Sequence, residues 1–305
     1  SVHGIRSLPL ERLIAELADP SYTAVIFCGR WLSPMVQIVR KATKAPLIAW
    51  MHESTFNPKL VPIVGDFNAI AFVSEWQQRI NQKHIPKYWT QAVIRNAMNP
   101  AAENMFGSNA VLAQKKEPPL LLYAGSAARG AFHLPAILDH LREMTVDFSM
   151  EIYCNTNPSG DPAQDEQYIG WLRSLPNITH VGMVGQNRLI SRMKEASVFV
   201  APNPWPETSC IAMIEAMAAG LKVVTTNRAA LPETASGFAK HIVIDDPDSP
   251  TRFDALIDAS LFAKAVREAM QDKNEAKQRE QVDYFNTHYR WQKRVEEWVS
   301  FLNSL

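Results

Sequence analysis

The chain has 305 residues, of which 47% are hydrophobic and 20% charged, and its 31 basic residues balance its 31 acidic residues. This composition excludes an intrinsically disordered chain and gives no general attraction to nucleic acid, while the length is sufficient for two cores of ordinary domain size. No apolar run approaches the roughly 20 residues that span a bilayer, and no signal peptide opens the chain, so we expect a cytosolic protein.

The first third of the chain predicts an alternating series of strands and helices. In chain order these elements are a helix at 8–17, a strand at 24–28, a helix at 34–41, strands at 46–51 and 69–73, a helix at 75–82 and a strand at 91–95. Such alternation is typical of parallel sheets with crossover helices. We place a linker at 104–119, within a polar stretch that contains Lys115, Lys116, Pro118 and Pro119.

A second α/β series follows the linker. Its predicted strands lie at 120–125, 151–154, 178–182, 198–202 and 241–244, and helices at 259–271 and 275–302 close the chain. The strand at 120–125 ends in Gly125, and small residues follow before Arg129 and Gly130. This loop predicts a phosphate contact, because open parallel sheets bind ligands at the carboxyl ends of their strands.

The segment from Pro202 to Thr226 places two glutamates across a junction between a loop and a helix. Pro204 and Pro206 keep the approach extended, Thr208 or Ser209 can cap the helix, and Gly220 ends it. We therefore predict a helix that begins at about Ser209. Glu207 would lie just before this helix, and Glu215 about two turns into it.

This arrangement suits a nucleotide-sugar diphosphate. Free N–H groups at 208–211 and the helix dipole, equivalent to roughly +0.5 charge, would hold phosphate oxygens. A carboxylate before the helix can accept sugar hydroxyls, and one farther along can accept two ribose hydroxyls. Taken singly, Glu207 could merely complement the helix N-terminus, and Glu215 could be a solvated helix position.

The text PNPWPETSCIAMIEAMAAGLKVV, followed by AALPE, resembles the donor-site signature of retaining glycosyltransferases of family 4 (group 1). Weaker matches occur in the family's order along most of the chain. They are WMHES at 50–54, AFVSEWQQR at 71–79, VIRNAMNP at 93–100, LLYAGSAARG at 121–130 and VGMVGQNRLISRM at 181–193. The resemblance implies an α/β protein of GT-B type, with two Rossmann-like parallel-sheet domains that face a cleft.

The resemblance also implies roles for individual residues. It makes Glu207, His52 and Arg129 the catalytic residues, with His52 facing the donor sugar. It assigns donor binding to a further set: Glu215, Thr208, Ser209, Cys210, Gly125, Ser126 and Val184. The chain departs from the family at Ser126, where an arginine is usual, so Arg129 would be the single cation at the diphosphate.

By the same resemblance, the chain divides into four segments. These are an acceptor-side domain at 1–103, the linker at 104–119, a donor-binding domain at 120–280 and a C-terminal helix at 281–305 that crosses back to the first domain. The first domain is shorter than is usual in the family, and the family's glycine-rich opening loop is not in this sequence. Either the chain is a naturally short member, or residues upstream are removed or missing. A shortened sheet leaves an exposed edge strand, which favours a homodimer.

We expect a UDP- or GDP-sugar as donor and no required cofactor or metal. Asp246 and Asp248 form a D-x-D pair that could chelate a metal, but the flanking prolines favour an ordinary turn. The acceptor would be a glycan or a lipid-linked molecule. Residues 1–100 carry 11 Lys/Arg against 6 Asp/Glu, a net +5, which is consistent with contact at the inner face of a membrane.

Two other functions fit the pattern. One is a nucleotide-sugar-binding protein without turnover, favoured by Ser126 and the short first domain. The other is a sugar-nucleotide epimerase on the same fold, which would need an acid–base group beside the sugar. The three cysteines, Cys28, Cys154 and Cys210, have no metal-ligand spacing and predict reduced core thiols.

Overall fold

The computed structural model describes residues 9–19, 21–28, 35–55, 66–126, 129–144, 146–154, 162–250 and 256–305. The chain divides into two compact units, the first within residues 1–95 and 295–305 and the second within residues 96–294. Each unit contains one parallel β-sheet with helices, which confirms the predicted α/β fold with two parallel-sheet domains.

The first unit is built on a four-stranded sheet in the order β1-β2-β3-β4. Its elements are α1 (Leu10–Leu17), β1 (Val25–Cys28), α2 (Met35–Ala42), β2 (Leu47–Met51), β3 (Ala69–Phe72), α3 (Glu75–Asn81) and β4 (Thr90–Val93). The two central strands are almost completely buried, as expected for a parallel sheet with both faces covered. Near the C-terminus, Trp298 and Phe301 pack with Ile48 and Ala69 of this sheet.

The second unit is built on a six-stranded parallel sheet in the order β10-β9-β8-β5-β6-β7. Its strands are β5 (Leu120–Ala124), β6 (Ser149–Tyr153), β7 (Ile178–His180), β8 (Val198–Ala201), β9 (Lys222–Thr226) and β10 (Lys240–Ile242). Its helices are α4 (Leu134–Glu143), α5 (Pro162–Ser174), α6 (Gln186–Glu195), α7 (Ile211–Ala218), α8 (Leu231–Ala235), α9 (Ala259–Gln271) and α10 (Glu275–His288). The last helix, α11 (Trp291–Leu302), belongs to the first unit from residue 295 onward. One apolar cluster lies on each face of the sheet.

The stretch expected as a linker packs into the second unit. Phe106 and Val111 are buried, and the Glu275 carboxylate accepts hydrogen bonds from the N–H groups of Val111 (2.7 Å) and Leu112 (2.8 Å). This close packing requires a glycine at position 220, because a Cβ on Gly220 would lie 2.4 Å from a Val111 methyl carbon. The polar composition of this stretch suggested a linker, but its apolar residues Phe106 and Val111 are buried against the second unit.

Two local predictions differ from the structure. The helix expected over 275–302 is two helices, since Tyr289 caps α10 with a non-helical backbone and α11 begins at Trp291. Cys28 is exposed rather than in a core, because it lies on β1, an edge strand of its sheet whose residues alternate between partly buried and exposed. Cys154 is buried as expected.

Candidate functional site

The order of strands in the second unit reverses between β5 and β8. From β5 the chain proceeds outward to β6 and β7, and from β8 it proceeds outward in the other direction to β9 and β10. Leu121 pairs with Val198 and Leu122 with Phe199, so the two strands end side by side at Ala124 and Ala201. Open α/β sheets bind ligands at such a reversal, beyond the carboxyl ends of the strands.

Two adjacent cavities open at this edge. One of about 200 Å³ is lined by Arg129, Asn203 and Glu207, and we call it the Glu207 cavity. The other, of about 500 Å³, is lined by Val184 and Gln186, and we call it the Val184 cavity. The two share a wall made of four small residues: Ala124, Gly125, Ser126 and Ala212. A single elongated ligand could therefore occupy both cavities along this shared wall.

Arg129 and Glu207 form an ion pair inside the Glu207 cavity. Arg129 Nη1 lies 2.9 Å from Glu207 Oε1, and the guanidinium also lies over the Trp205 ring at 5.8 Å. The Glu207 side chain is only 8% exposed, whereas that of Arg129 is 47% exposed. One oxygen of Glu207 is thus held by a cation that remains accessible to an anionic ligand.

The backbone explains how Arg129 reaches this cavity. Gly130 has a φ of 138°, a conformation that L side chains rarely adopt, and a Cβ there would lie 2.6 Å from the Pro202 carbonyl oxygen. The loop after β5 therefore passes directly against the loop after β8. Arg129 precedes Gly130 in the first loop, and Glu207 lies in the second loop. The contact between the loops therefore brings the side chain of Arg129 close to that of Glu207.

The turn after β5 is fixed by a buried hydroxyl. Tyr123 is 2% exposed, and its hydroxyl donates to the Ser126 carbonyl oxygen at 2.7 Å, while Gly125 N–H donates to the Tyr153 carbonyl oxygen at 3.1 Å. Burial raises the pKa of Tyr123 well above its ordinary value, so the hydroxyl remains a donor. The predicted residues Gly125 and Ser126 thus form part of the walls of both cavities.

The glutamate helix α7 begins two residues later than the sequence predicts. Cys210, not Thr208 or Ser209, is its N-cap, and the Cys210 carbonyl oxygen accepts from Ile214 N–H at 3.1 Å. Burial raises the pKa of the Cys210 thiol to about 12, so it is neutral. Glu215 therefore lies just over one turn into the helix rather than two.

Several predicted residues meet at this helix end. Ser209 and Cys210 line the Glu207 cavity together with Ile211, whose N–H is among the first of the helix and lacks an intrahelical acceptor. Thr208 is buried and lines neither of the two cavities. The N–H groups at this end remain suited to an anion, because the helix dipole favours negative charge there.

Glu215 is 2% exposed and belongs to the lining of neither cavity. Its Oε1 accepts from Asn99 N–H at 3.1 Å and from Gln186 Nε2 at 2.8 Å. Burial raises the pKa of Glu215, and the two hydrogen bonds oppose that shift. Glu215 is thus linked to the Val184 cavity through Gln186, which lines it.

Val184 lines the larger cavity, as a predicted donor-binding residue. Met183, which is 81% exposed, and Leu189 add apolar surface to this cavity. Tyr153 also lines it, and the Tyr153 hydroxyl donates a hydrogen bond to Glu151 Oε2 at 2.6 Å. Apolar walls with few polar groups suit a flat heterocycle.

His52 lies in the first unit, directly after β2. Its ring packs on Trp50 with 4.8 Å between ring centres, and the backbone N–H of His52 donates to Glu53 Oε2 at 3.3 Å. Burial lowers the pKa of His52 although the Glu53 charge opposes the shift, so the imidazole is neutral at pH 7.

Four residues that donate hydrogen bonds at the site were not predicted: Asn96, Asn99, Gln186 and Asn203. Asn96 Nδ2 donates to the Ser209 carbonyl oxygen at 3.4 Å, Asn99 and Gln186 hold Glu215, and Asn203 Nδ2 donates to Glu207 Oε1 at 3.2 Å. Asn96 and Asn99 fall in VIRNAMNP, where the motif was a signal for them. Gln186 falls in VGMVGQNRLISRM and Asn203 in PNPWPETSCIAMIEAMAAGLKVV, so both lie within segments that resemble the family, although no role was predicted for either.

Within the described ranges, no group of three or more His, Cys, Asp or Glu side chains could hold a metal ion. Asp246 lies in a turn with a φ of 49°, and its carbonyl oxygen accepts from Arg228 Nη1 at 2.6 Å. Of the helices that the structure describes, none has both the length and the apolar character needed to cross a bilayer.

A family model described as "Glycosyl transferases group 1" matches residues 108–282, more than half of the chain. This range contains both cavities. No curated protein matches the chain at a significant level of sequence similarity.

Solved structures show a common fold. A sucrose-phosphate synthase from Thermosynechococcus elongatus aligns with a TM-score of 0.69 at 16% identity, covering 98% of this chain and 80% of its own. A glycosyltransferase from Rickettsia africae aligns with a TM-score of 0.73 at 12% identity, covering 96% and 79%. Anabaena HepE in complex with UDP and glucose aligns with a TM-score of 0.67 at 12% identity, covering 96% and 82%.

Proposed function

The chain belongs to the glycosyl transferases group 1 family, and from that premise we propose that it is a retaining glycosyltransferase of family 4. It moves a sugar from a nucleotide diphosphate sugar to a hydroxyl of a glycan or glycoconjugate. The observation that carries this proposal is the Arg129–Glu207 pair at 2.9 Å, set in a cavity at the reversal of strand order. In this cavity Arg129, a cation suited to phosphate, lies beside Glu207, an acceptor suited to sugar hydroxyls.

The donor is proposed to lie across the two cavities. Its diphosphate would contact Arg129 and the N–H groups at the start of α7, beside the narrow wall at Gly125 and Ser126. Its base would pack in the Val184 cavity, and its ribose would bond to Glu215 from the same side. UDP in the HepE structure supports a pyrimidine nucleotide in that protein, and for this chain both UDP- and GDP-sugars are proposed donors.

Catalysis then depends mainly on charge stabilisation and positioning. The resemblance implies front-face substitution, in which the departing phosphate helps to deprotonate the acceptor hydroxyl. Arg129 and the dipole of α7 would stabilise the charge that develops on that phosphate. Glu207 would orient the sugar, and His52 is proposed from the resemblance to assist it.

The remaining partners are proposed from charge and topology. The net +5 of residues 1–100 supports an anionic lipid surface or a lipid-linked acceptor. The edge strand β1, with Ile26 42% exposed, supports a homodimer. Co-sedimentation with vesicles of neutral or anionic lipid tests the first proposal, and sedimentation equilibrium tests the second.

Ser126 favours one alternative function. The usual arginine is replaced there, and a chain with a single cation at the diphosphate could bind a nucleotide sugar without turning it over. An epimerase is the second alternative, for which His52 and Glu207 are the only candidate acid–base groups that we identify among the described residues.

Product analysis separates the three. The chain is first incubated with a panel of UDP- and GDP-sugars, and its melting temperature identifies the donor that binds. That donor is then followed by chromatography and NMR. Sugar transfer, or slow hydrolysis with retained anomeric configuration, supports the proposal. Unchanged donor would indicate a binding protein, and an epimerised donor would indicate an epimerase.

A further inference from the structure

The two glutamates of the site share one hydrogen-bonding arrangement. Glu207 Oε1 accepts from Arg129 Nη1 at 2.9 Å and from Asn203 Nδ2 at 3.2 Å. Glu215 Oε1 accepts from Asn99 N–H at 3.1 Å and from Gln186 Nε2 at 2.8 Å. In each case two donors, one of them a side-chain amide, converge on a single oxygen of a buried carboxylate.

The second oxygen of each carboxylate is treated differently. In the part of the chain that the structure describes, no hydrogen bond involves Oε2 of Glu207 or of Glu215. A carboxylate offers about four acceptor positions, so each group retains an oxygen for hydroxyl donors. The bonds to Oε1 restrict the rotation that would otherwise make the two oxygens equivalent.

The amide of Asn203 is oriented by its own surroundings. Its Oδ1 accepts from Trp205 N–H at 2.8 Å, which requires Nδ2 to be the atom facing Glu207. Its backbone carbonyl oxygen accepts from Thr226 Oγ1 at 2.6 Å, and the residue is 5% exposed. The Asn203 amide therefore cannot turn away from Glu207 without breaking its bond to Trp205 N–H.

Gln186 occupies the equivalent place at the other end of the site. It opens helix α6, follows the loop that carries Val184, and lines the Val184 cavity while it donates to Glu215. Asn203 lines the Glu207 cavity. One amide thus serves the end where the sugar is proposed to bind, and the other serves the end proposed for the nucleoside.

We propose that Asn203 and Gln186 are positioning residues, which fix Oε1 of Glu207 and of Glu215 and leave Oε2 of each for hydroxyl groups of the donor. This inference rests on the proposed function. Asn203 acts on the sugar hydroxyls through Glu207, and Gln186 acts on the ribose hydroxyls through Glu215. Because the carboxylates are oriented before the donor binds, little side-chain entropy is lost on binding.

The test uses one neutral variant at each end. Gln186→Met keeps the length of the side chain but removes the donor. Asn203→Ser retains a short acceptor that can form the same local turn with Trp205 N–H, but is too short to reach Glu207. Gln271→Met, at an exposed position at the end of α9, is the control.

The role of Gln186 is tested by calorimetry, which measures the affinities for UDP and GDP and for the 2′-deoxy form of each. The role of Asn203 is tested by the rate of turnover of the nucleotide sugar. We expect Gln186→Met to weaken the ribonucleotide about five-fold and to leave the deoxy form nearly unchanged. We expect Asn203→Ser to lower turnover about ten-fold while nucleoside diphosphate affinity stays within two-fold. The control should match the parent in both measurements.

Several results would overturn the inference. Tighter ribonucleotide binding by Gln186→Met would mean that Gln186 competes with ribose for Glu215. Equal losses for ribose and deoxyribose forms with a lowered melting temperature would mean that the amides only brace the fold. A parent that binds no nucleoside diphosphate would overturn the proposed function as well, whereas normal binding by the parent without the expected split overturns the positioning role alone.

Discussion

Arg129 Nη1 lies 2.9 Å from Glu207 Oε1, so the cation proposed for phosphate and the carboxylate proposed for sugar neutralise each other. A diphosphate that enters the Glu207 cavity must compete with Glu207 for Arg129. When it does so, Glu207 loses one of its two hydrogen-bond donors and becomes a better acceptor for sugar hydroxyls. Phosphate binding and sugar recognition are thereby coupled through a single ion pair.

Glu207→Gln should separate binding from turnover. Loss of the ion pair frees Arg129, and a pair with one exposed partner is worth up to about 1 kcal/mol, so nucleoside diphosphate affinity should rise about five-fold. Turnover of the nucleotide sugar should fall on the order of 100-fold, because the charged acceptor for the sugar is lost. Calorimetry and steady-state kinetics measure the two effects, with the exposed Glu280→Gln as control. Weaker nucleotide binding in a folded Glu207→Gln variant would contradict the coupling.

Gly130→Ala should damage both stability and activity. The added Cβ would lie 2.6 Å from the Pro202 carbonyl oxygen, at a φ of 138° that disfavours alanine, so the loop carrying Arg129 must move. We expect destabilisation of about 1–3 kcal/mol in urea unfolding and a loss of turnover. Gly170→Ala is the matched control, since its Cβ meets no atom within 4 Å in helix α5, and it should be neutral or stabilise by up to about 1 kcal/mol. Equal behaviour of the two variants would show that the close approach at Gly130 is unimportant.

Much of the fold follows from patterns along the chain, whereas the hydrogen bonds of the site do not. The alternation of apolar runs predicted both parallel sheets, and the signature around Glu207 and Glu215 predicted the family. The N-cap was missed because Thr208 and Ser209 have good capping side chains but the extended backbone continues through Cys210. The hydrogen bond from Asn99 N–H to Glu215 was missed because the two residues are 116 positions apart, and no local pattern specifies such a contact.

Glu215→Gln should change the dependence of stability on pH. Burial raises the pKa of Glu215, so the folded chain holds its proton at pH values where the unfolded chain has released it. The contribution of Glu215 to the free energy of unfolding of the parent therefore decreases as pH rises from about 4 through the raised pKa of the folded state. The glutamine variant keeps the acceptor and lacks this effect. In urea unfolding, the free energy of unfolding of the variant relative to that of the parent should increase as pH rises from low values and then reach a plateau. A difference between the two proteins that does not change with pH would contradict this.

Activity should survive chelation of metals. In the proposed mechanism Arg129 and the N–H groups of α7 stabilise the diphosphate, and the described residues contain no cluster of metal-ligating side chains. Turnover with EDTA should equal turnover without it. Complete loss that is restored by magnesium or manganese would instead assign Asp246 and Asp248 to a metal.

The central claim is that the start of α7, with Glu207 before the helix and Glu215 within it, binds a nucleotide donor. It is tested most directly by titration of the parent and Glu215→Ala with a nucleoside diphosphate and its 2′-deoxy form. Loss of a charged acceptor of hydrogen bonds typically costs about 1.5–3 kcal/mol, so Glu215→Ala should bind the ribonucleotide roughly 10- to 150-fold more weakly. The parent should already bind the deoxy form poorly, and the variant should no longer distinguish the two. Equal affinities for both nucleotides in both proteins would mean that Glu215 does not contact the ribose, and would contradict the donor site.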